Sequence, residues 1–114
     1  MAMPELVRRS AEKLLAHYCD QRIPPCARDK LRLAFSIRDD QVTLFAERAD
    51  GQEPDTWVAS PVARFRFSQD LGQWTLHYPD AHLRWRFYLN AGPYLDLRKL
   101  LKHLDADPLH LFWG

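Results

Sequence analysis

Between Leu31 and Phe87 the chain alternates apolar and polar residues in five successive runs, and that period of two calls for a sheet. Leu31, Leu33, Phe35 and Ile37 alternate with Arg32, Ala34, Ser36 and Arg38; Val42, Leu44 and Ala46 alternate with Thr43, Phe45 and Glu47. Further along come Ala63, Phe65 and Phe67, then Trp74, Leu76 and Tyr78, then Leu83, Trp85 and Phe87. The breaks at Asp39–Asp40, "SQDLGQ" and "PDAH" are short and carry Asp, Gly and Pro, so neighbouring strands return as antiparallel hairpins. "ADGQEPDTWVASP", between the second and third runs, reads as a long polar connection.

Two amphipathic helices bracket the strands. From Pro4 to Gln21, Val7, Ala11, Leu14 and Tyr18 recur at helical spacing, widened by Leu15 and Cys19. Pro4 suits a first turn, and "IPP" at Ile23 to Pro25 ends the helix, because a residue before proline is pushed out of the α region. From Pro93 onward Leu97, Leu100, Leu101 and Leu104 repeat the pattern up to "DADP". With 114 residues and no linker or repeat, the expectation is one domain, 1–114. Its fold class is α+β: helix, five-stranded antiparallel meander, helix, in two layers with both helices on one face of the sheet.

Pairing each hairpin through its turn assigns the faces. Ile37 then meets Val42, Phe35 meets Leu44, Phe67 meets Trp74 and Phe65 meets Leu76. In the last hairpin Tyr78 meets Leu83, Leu76 meets Trp85 and Trp74 meets Phe87. These residues make the core face. The other face collects Arg64, Arg66, His77, Arg84, Arg86 and Tyr88, with Arg32, Ser36, Thr43, Phe45, Glu47 and Thr75 around them. Glu47, opposite Arg32, is the one acid in this set.

Such a face has two readings. Long arginine side chains can cover a solvated sheet and discourage edge-to-edge association. Alternatively Arg64, Arg66, His77, Arg84, Arg86 and Tyr88 form a polyanion-binding surface, with guanidinium groups on phosphates and an aromatic ring for stacking. Of sixteen Lys and Arg residues twelve are Arg, which favours planar contacts of this kind, although a GC-rich genome produces the same bias. A net charge of +1 supplies no global attraction to nucleic acid or anionic membrane, so binding through this face is weak and salt-dependent.

Catalytic patterns are missing. Cys19 and Cys26 lack the paired CxxC spacing of a structural zinc site, and both suit burial as free thiols. His17, His77, His82, His103 and His110 form neither HExxH nor HxH. "PD" at Pro79 and Asp80 resembles the opening of the PD-(D/E)xK nuclease motif, but "LRWRF" follows where its Glu and Lys would stand. No serine lies in GxSxG, and four glycines provide no phosphate-cradling loop. Neither a metal nor another cofactor is expected. "MAMPELVRRS" has no apolar core of a signal peptide, and no apolar run reaches the ~20 residues that span a bilayer, so the expected location is the cytoplasm, away from membranes.

Taken together, "IPP" at 23–25, "VTLFAER" at 42–48, "ARFRF" at 63–67, "WTLHY" at 74–78, "LRW" at 83–85, "DP" at 107–108 and "FWG" at 112–114 resemble a family of small bacterial proteins known only as a domain of unknown function, number 3024 in that naming series. The resemblance covers nearly the whole chain and implies no activity. The resulting expectation is a non-enzymatic bacterial accessory module that binds nucleic acid or another polyanion through its arginine face. The alternative is a protein-interaction or self-associating module, a homodimer included, without a polyanion ligand. For the tail "DPLHLFWG", Asp107 is expected to cap a turn that folds Leu111, Phe112 and Trp113 back on the domain, the alternative being an exposed recognition tag.

Overall fold

The computed structural model describes residues 3–51, 56–89, 91–108 and 111–113. Helix α1 (Glu5–Arg22) is reinforced along its wet side by two i,i+4 ion pairs, Arg8–Glu12 at 3.1 Å and Arg9–Glu5 at 2.9 Å. It stops at Ile23, whose extended backbone is what the following Pro24 demands. Ala11 and Leu15 are buried, with Val7, Leu14, Tyr18 and Cys19 packed half-buried around them. A single 3₁₀ turn, Pro25–Ala27, leads to the sheet.

Five antiparallel strands follow as a meander in the order β1-β2-β3-β4-β5: β1 (Leu31–Arg38), β2 (Gln41–Ala49), β3 (Trp57–Ser68), β4 (Gln73–Pro79) and β5 (Trp85–Phe87). The first hairpin closes as the sequence predicts, Phe35 opposite Leu44 and Ile37 opposite Val42, across a turn in which Asp39 takes a left-handed φ of 54°. In the third pairing Phe65 meets Leu76 and Phe67 meets Trp74, as expected. Gly72 supplies the left-handed residue of that turn (φ 62°), its N–H donating to the Ser68 carbonyl at 2.8 Å.

Strand β3 begins earlier than the sequence reading places it. Trp57 to Pro61, read as part of a polar connection, pair with β2 from Ala49 back to Phe45. The proline concealed this. Pro61 cannot donate to a ladder, and it is accommodated because the register shifts between Leu44 and Phe45, opposite Ala63 and Pro61 respectively. The extra residue, Val62, is buried like its neighbour Ala63, and this interrupts the alternation.

Helix α2 (Leu97–Ala106) also starts later than the expected Pro93. Asp96 is its cap, the carboxylate accepting the Arg98 N–H at 3.0 Å, while Tyr94 instead bridges antiparallel to Trp74. Leu97, Leu100, Leu101 and Leu104 are all buried and join Leu15, Val42, Leu44, Phe65 and Leu76 in one hydrophobic cluster. The α2 terminus is set by Asp107 in left-handed geometry (φ 32°). Its buried carboxylate accepts the amides of Leu111 and Trp113, both at 2.9 Å, and of Phe112 at 3.3 Å. Phe112 is thereby seated in the core, 5.1 Å from the Tyr88 ring. No helix among the described residues is long and apolar enough to cross a membrane.

Candidate functional site

The last hairpin decides the composition of the arginine face. Its turn is built around Asp80, whose N–H donates to the Arg84 carbonyl and whose Oδ1 accepts the amides of His82 and Arg84 at 2.8 and 2.9 Å. Leu83 occupies a left-handed position (φ 60°), as glycine does in three-residue hairpin loops. This loop moves the pairing to His77–Phe87, Tyr78–Arg86 and Pro79–Trp85. The expected partners were Tyr78–Leu83 and Leu76–Trp85. The offset between the two registers is odd, so every β5 side chain changes face.

The consequences are corrections. Tyr88, expected on the arginine face, is 2% exposed and lies in the core, its N–H bonded to the Leu76 carbonyl at 2.9 Å. Arg86 leaves the face and pairs with Asp80 at 2.9 Å, and Arg84 is an exposed turn residue. Arg64, Arg66, Arg84 and Arg86 therefore do not form one patch. Trp85 and Phe87, expected in the core, stand instead beside Arg64 and His77.

The face as built is a row running across four strands: Thr43, Arg64, His77 and Phe87, each opposite the next. Arg64 Nε donates to the Thr43 hydroxyl at 3.1 Å, and its guanidinium carbon lies 4.4 Å from the Trp85 ring centroid. His77 meets Phe87 edge-on at 5.5 Å, and its Nε2 is 2.9 Å from the Thr75 hydroxyl. Arg66 occupies the next row, opposite Thr75, with its side chain exposed. Among the described residues no carboxylate lies within ion-pair distance of Arg64 or Arg66. Two acids of the neighbouring strands are engaged elsewhere: Glu47 with Arg32 at 3.0 Å, whose guanidinium stacks over Trp57, and Asp80 with Arg86.

Electrostatics follow from this geometry. Desolvation, then the charges of Arg66 and Arg64, hold the His77 imidazole down at about pKa 4, so it is neutral near pH 7. Burial first, and then Arg66, also lower the pKa of Arg64. Two like charges held close without a countercharge favour an anion arriving from solution.

A family model described as a domain of unknown function, DUF3024, matches residues 3–114. The chain belongs to the DUF3024 family. No curated protein and no solved structure matches it.

The match takes in every element of the DUF3024 domain described above, from Met3 and α1 to the folded tail. Among its described residues no three His, Cys, Asp or Glu side chains are grouped to hold a metal ion. Both thiols are free: Cys19 is half-buried with its pKa raised by burial to about 11, whereas Cys26 is exposed rather than buried as expected, since it lies in the 3₁₀ turn and not on the apolar side of α1. The residues of this face that sequence reasoning missed in the DUF3024 domain are Trp85 and Phe87. The available signal was Asp80, an aspartate two and four residues before amides that it could cap.

Proposed function

We propose that this DUF3024 domain is a non-enzymatic binding module whose sheet face takes nucleic acid, single strands ahead of duplex. The observation that carries this reading is the pairing of Arg64 and Arg66, free of carboxylate partners among the described residues, with the rings of Trp85 and Phe87 on the same face. Arginine forks suit phosphate oxygens, and exposed aromatic rings suit bases that are not already stacked in a duplex. Phe87 is 42% exposed, so a base can lie against it while a neighbouring phosphate reaches Arg64 two strands away. Thr75, half-buried, adds a hydroxyl to the Arg66 row. Two arginines and a net charge of +1 make this weak binding, micromolar or above at low salt.

Fluorescence tests the preference. A short oligothymidylate is expected to quench tryptophan emission, a duplex of equal length to quench it less, and Trp85→Phe to remove most of the response. Equal quenching by the two forms would leave a purely electrostatic contact without stacking. No change with either would remove nucleic acid as the ligand and leave the face to a protein partner.

A further inference from the structure

We infer that the domain carries a second, independent binding site, for a small amphipathic anion of the medium-chain carboxylate type, in the groove between α1 and the segment that enters α2. The groove has a volume of about 960 Å³, and Phe67, Trp74, Ala11 and Leu97 contribute its apolar lining. Small-molecule sites range over roughly 300–1,000 Å³ and are apolar with a few polar groups at fixed places. The α1 wall runs from Leu6 to His17, about 16 Å along a helix at its standard rise, which suits an extended acyl chain.

Two features mark the groove as a site rather than a packing gap. Leu6 and Leu95 stand on opposite walls at 80% and 73% exposure, so the rim keeps large apolar side chains in water. Its charge is also one-sided. Arg98 is neutralised on its own wall by Asp96 at 3.1 Å, and Arg8 and Arg9 of α1 are paired with Glu12 and Glu5. Lys13, on the rim with Ser10 and His17, has no ion pair among the described residues. An apolar body along the groove with an anionic head at Lys13 satisfies both features. An anionic head gains a charge-assisted contact with the Lys13 ammonium that a neutral or cationic head does not.

Binding of 1-anilinonaphthalene-8-sulfonate to the full chain, with displacement by laurate, tests the site. The dye is expected to brighten on binding and to be displaced by laurate but not by dodecyltrimethylammonium. Lys13→Glu, and separately Leu6→Glu with Leu95→Glu, should each weaken laurate by about tenfold or more, with unchanged circular dichroism because all three side chains are exposed. Arg64→Gln with Arg66→Gln should leave it unaltered, which keeps this site distinct from the sheet face. Backbone amide shifts on adding laurate should cluster at Ser10, Lys13, Gly72 and Trp74. Absence of displacement, equal affinity in the groove variants, or loss in the sheet variant would overturn the inference. So would a dimer in light scattering that dissociates on changing Leu6 and Leu95, because the groove would then belong to a second copy.

Discussion

Arg64 lies over Trp85, its guanidinium carbon 4.4 Å from the ring centroid, and this contact ties β5 to the arginine face of the sheet. Trp85 is accordingly half-buried, while Tyr88 three residues later is the side chain that fills the core. Trp85→Ala should cost about 1–2 kcal/mol, a cation–π contact and partial packing, whereas Tyr88→Ala should cost roughly 3–5 kcal/mol by emptying a buried aromatic site. Urea unfolding of the two variants checks the order. The reverse order would return β5 to the register read from the sequence.

Leu83 holds a left-handed backbone at 70% exposure and gains little from its side chain there. That conformation costs a non-glycine residue roughly 1–2 kcal/mol, against about 0.5–1 kcal/mol of added chain entropy for glycine. Leu83→Gly should therefore raise the melting temperature by a few degrees. Asp80→Ala should lower it, since the carboxylate holds both loop amides and Arg86. The same bonds, the Arg84 amide foremost, keep the Asp80 pKa near 2, so its contribution is complete above pH 3.8 and is lost as pH falls through about 2. A lower melting temperature for Leu83→Gly would contradict the loop geometry.

How much was legible follows from the turns. Asp39–Asp40 and Gly72 are recognisable turn residues, and the two hairpins they close have the register that the sequence predicts. The β4–β5 loop has no glycine, and "LRWRFYL" carries aromatic residues on both parities, so alternation alone gave no sign to the face. Leu83 in a left-handed position was the unexpected choice that set it. Pro61 hid the start of β3 because a proline inside a central strand ordinarily argues against one, and the adjoining shift in register is invisible to periodicity. Arg64, Arg66 and His77 fall on one face, as expected, because their strands were paired correctly. Trp85 and Phe87 were missed, and Arg84, Arg86 and Tyr88 misplaced, for the single reason of the last turn.

The tail is a structural element of the domain. Phe112 is 7% exposed, and Trp113 donates its indole N–H to the Leu104 carbonyl at 2.9 Å beneath Arg22. Removing residues 112–114 should lower the melting temperature on the order of 10 °C, the cost of one buried aromatic site in a domain of this size. Asp107→Ala should lower it as well, by releasing the amides of Leu111, Phe112 and Trp113. A melting curve unchanged by the deletion would make the tail a recognition tag.

His77 gives a pH signature with a definite sign. The unfolded chain protonates it from its ordinary 6.5, but the folded domain only from about 4. Between these values the unfolded state holds more protons, so the stability that neutral His77 contributes is complete above pH 6.5 and falls as pH drops towards 4. His77→Phe should flatten that part of the stability profile. A bound polyanion offsets the field of Arg66 and Arg64, raises the His77 pKa and draws in a proton, so affinity should increase as pH falls from about 7 to 5. Calorimetry in two buffers of different ionisation enthalpy would register the uptake; release, or no exchange, would place the anion elsewhere.

The most direct measurement is the salt dependence of oligothymidylate binding by fluorescence anisotropy, for the wild type and for Arg64→Gln with Arg66→Gln. Each phosphate neutralised on a single strand contributes about −0.7 to the slope of log K against log salt, so two arginines give about −1.4 between roughly 20 and 150 mM. The account predicts that slope for the wild type, and neither binding nor a change in fold for the double variant. Equal binding by the two proteins, or none by the wild type at the lowest salt, would contradict it.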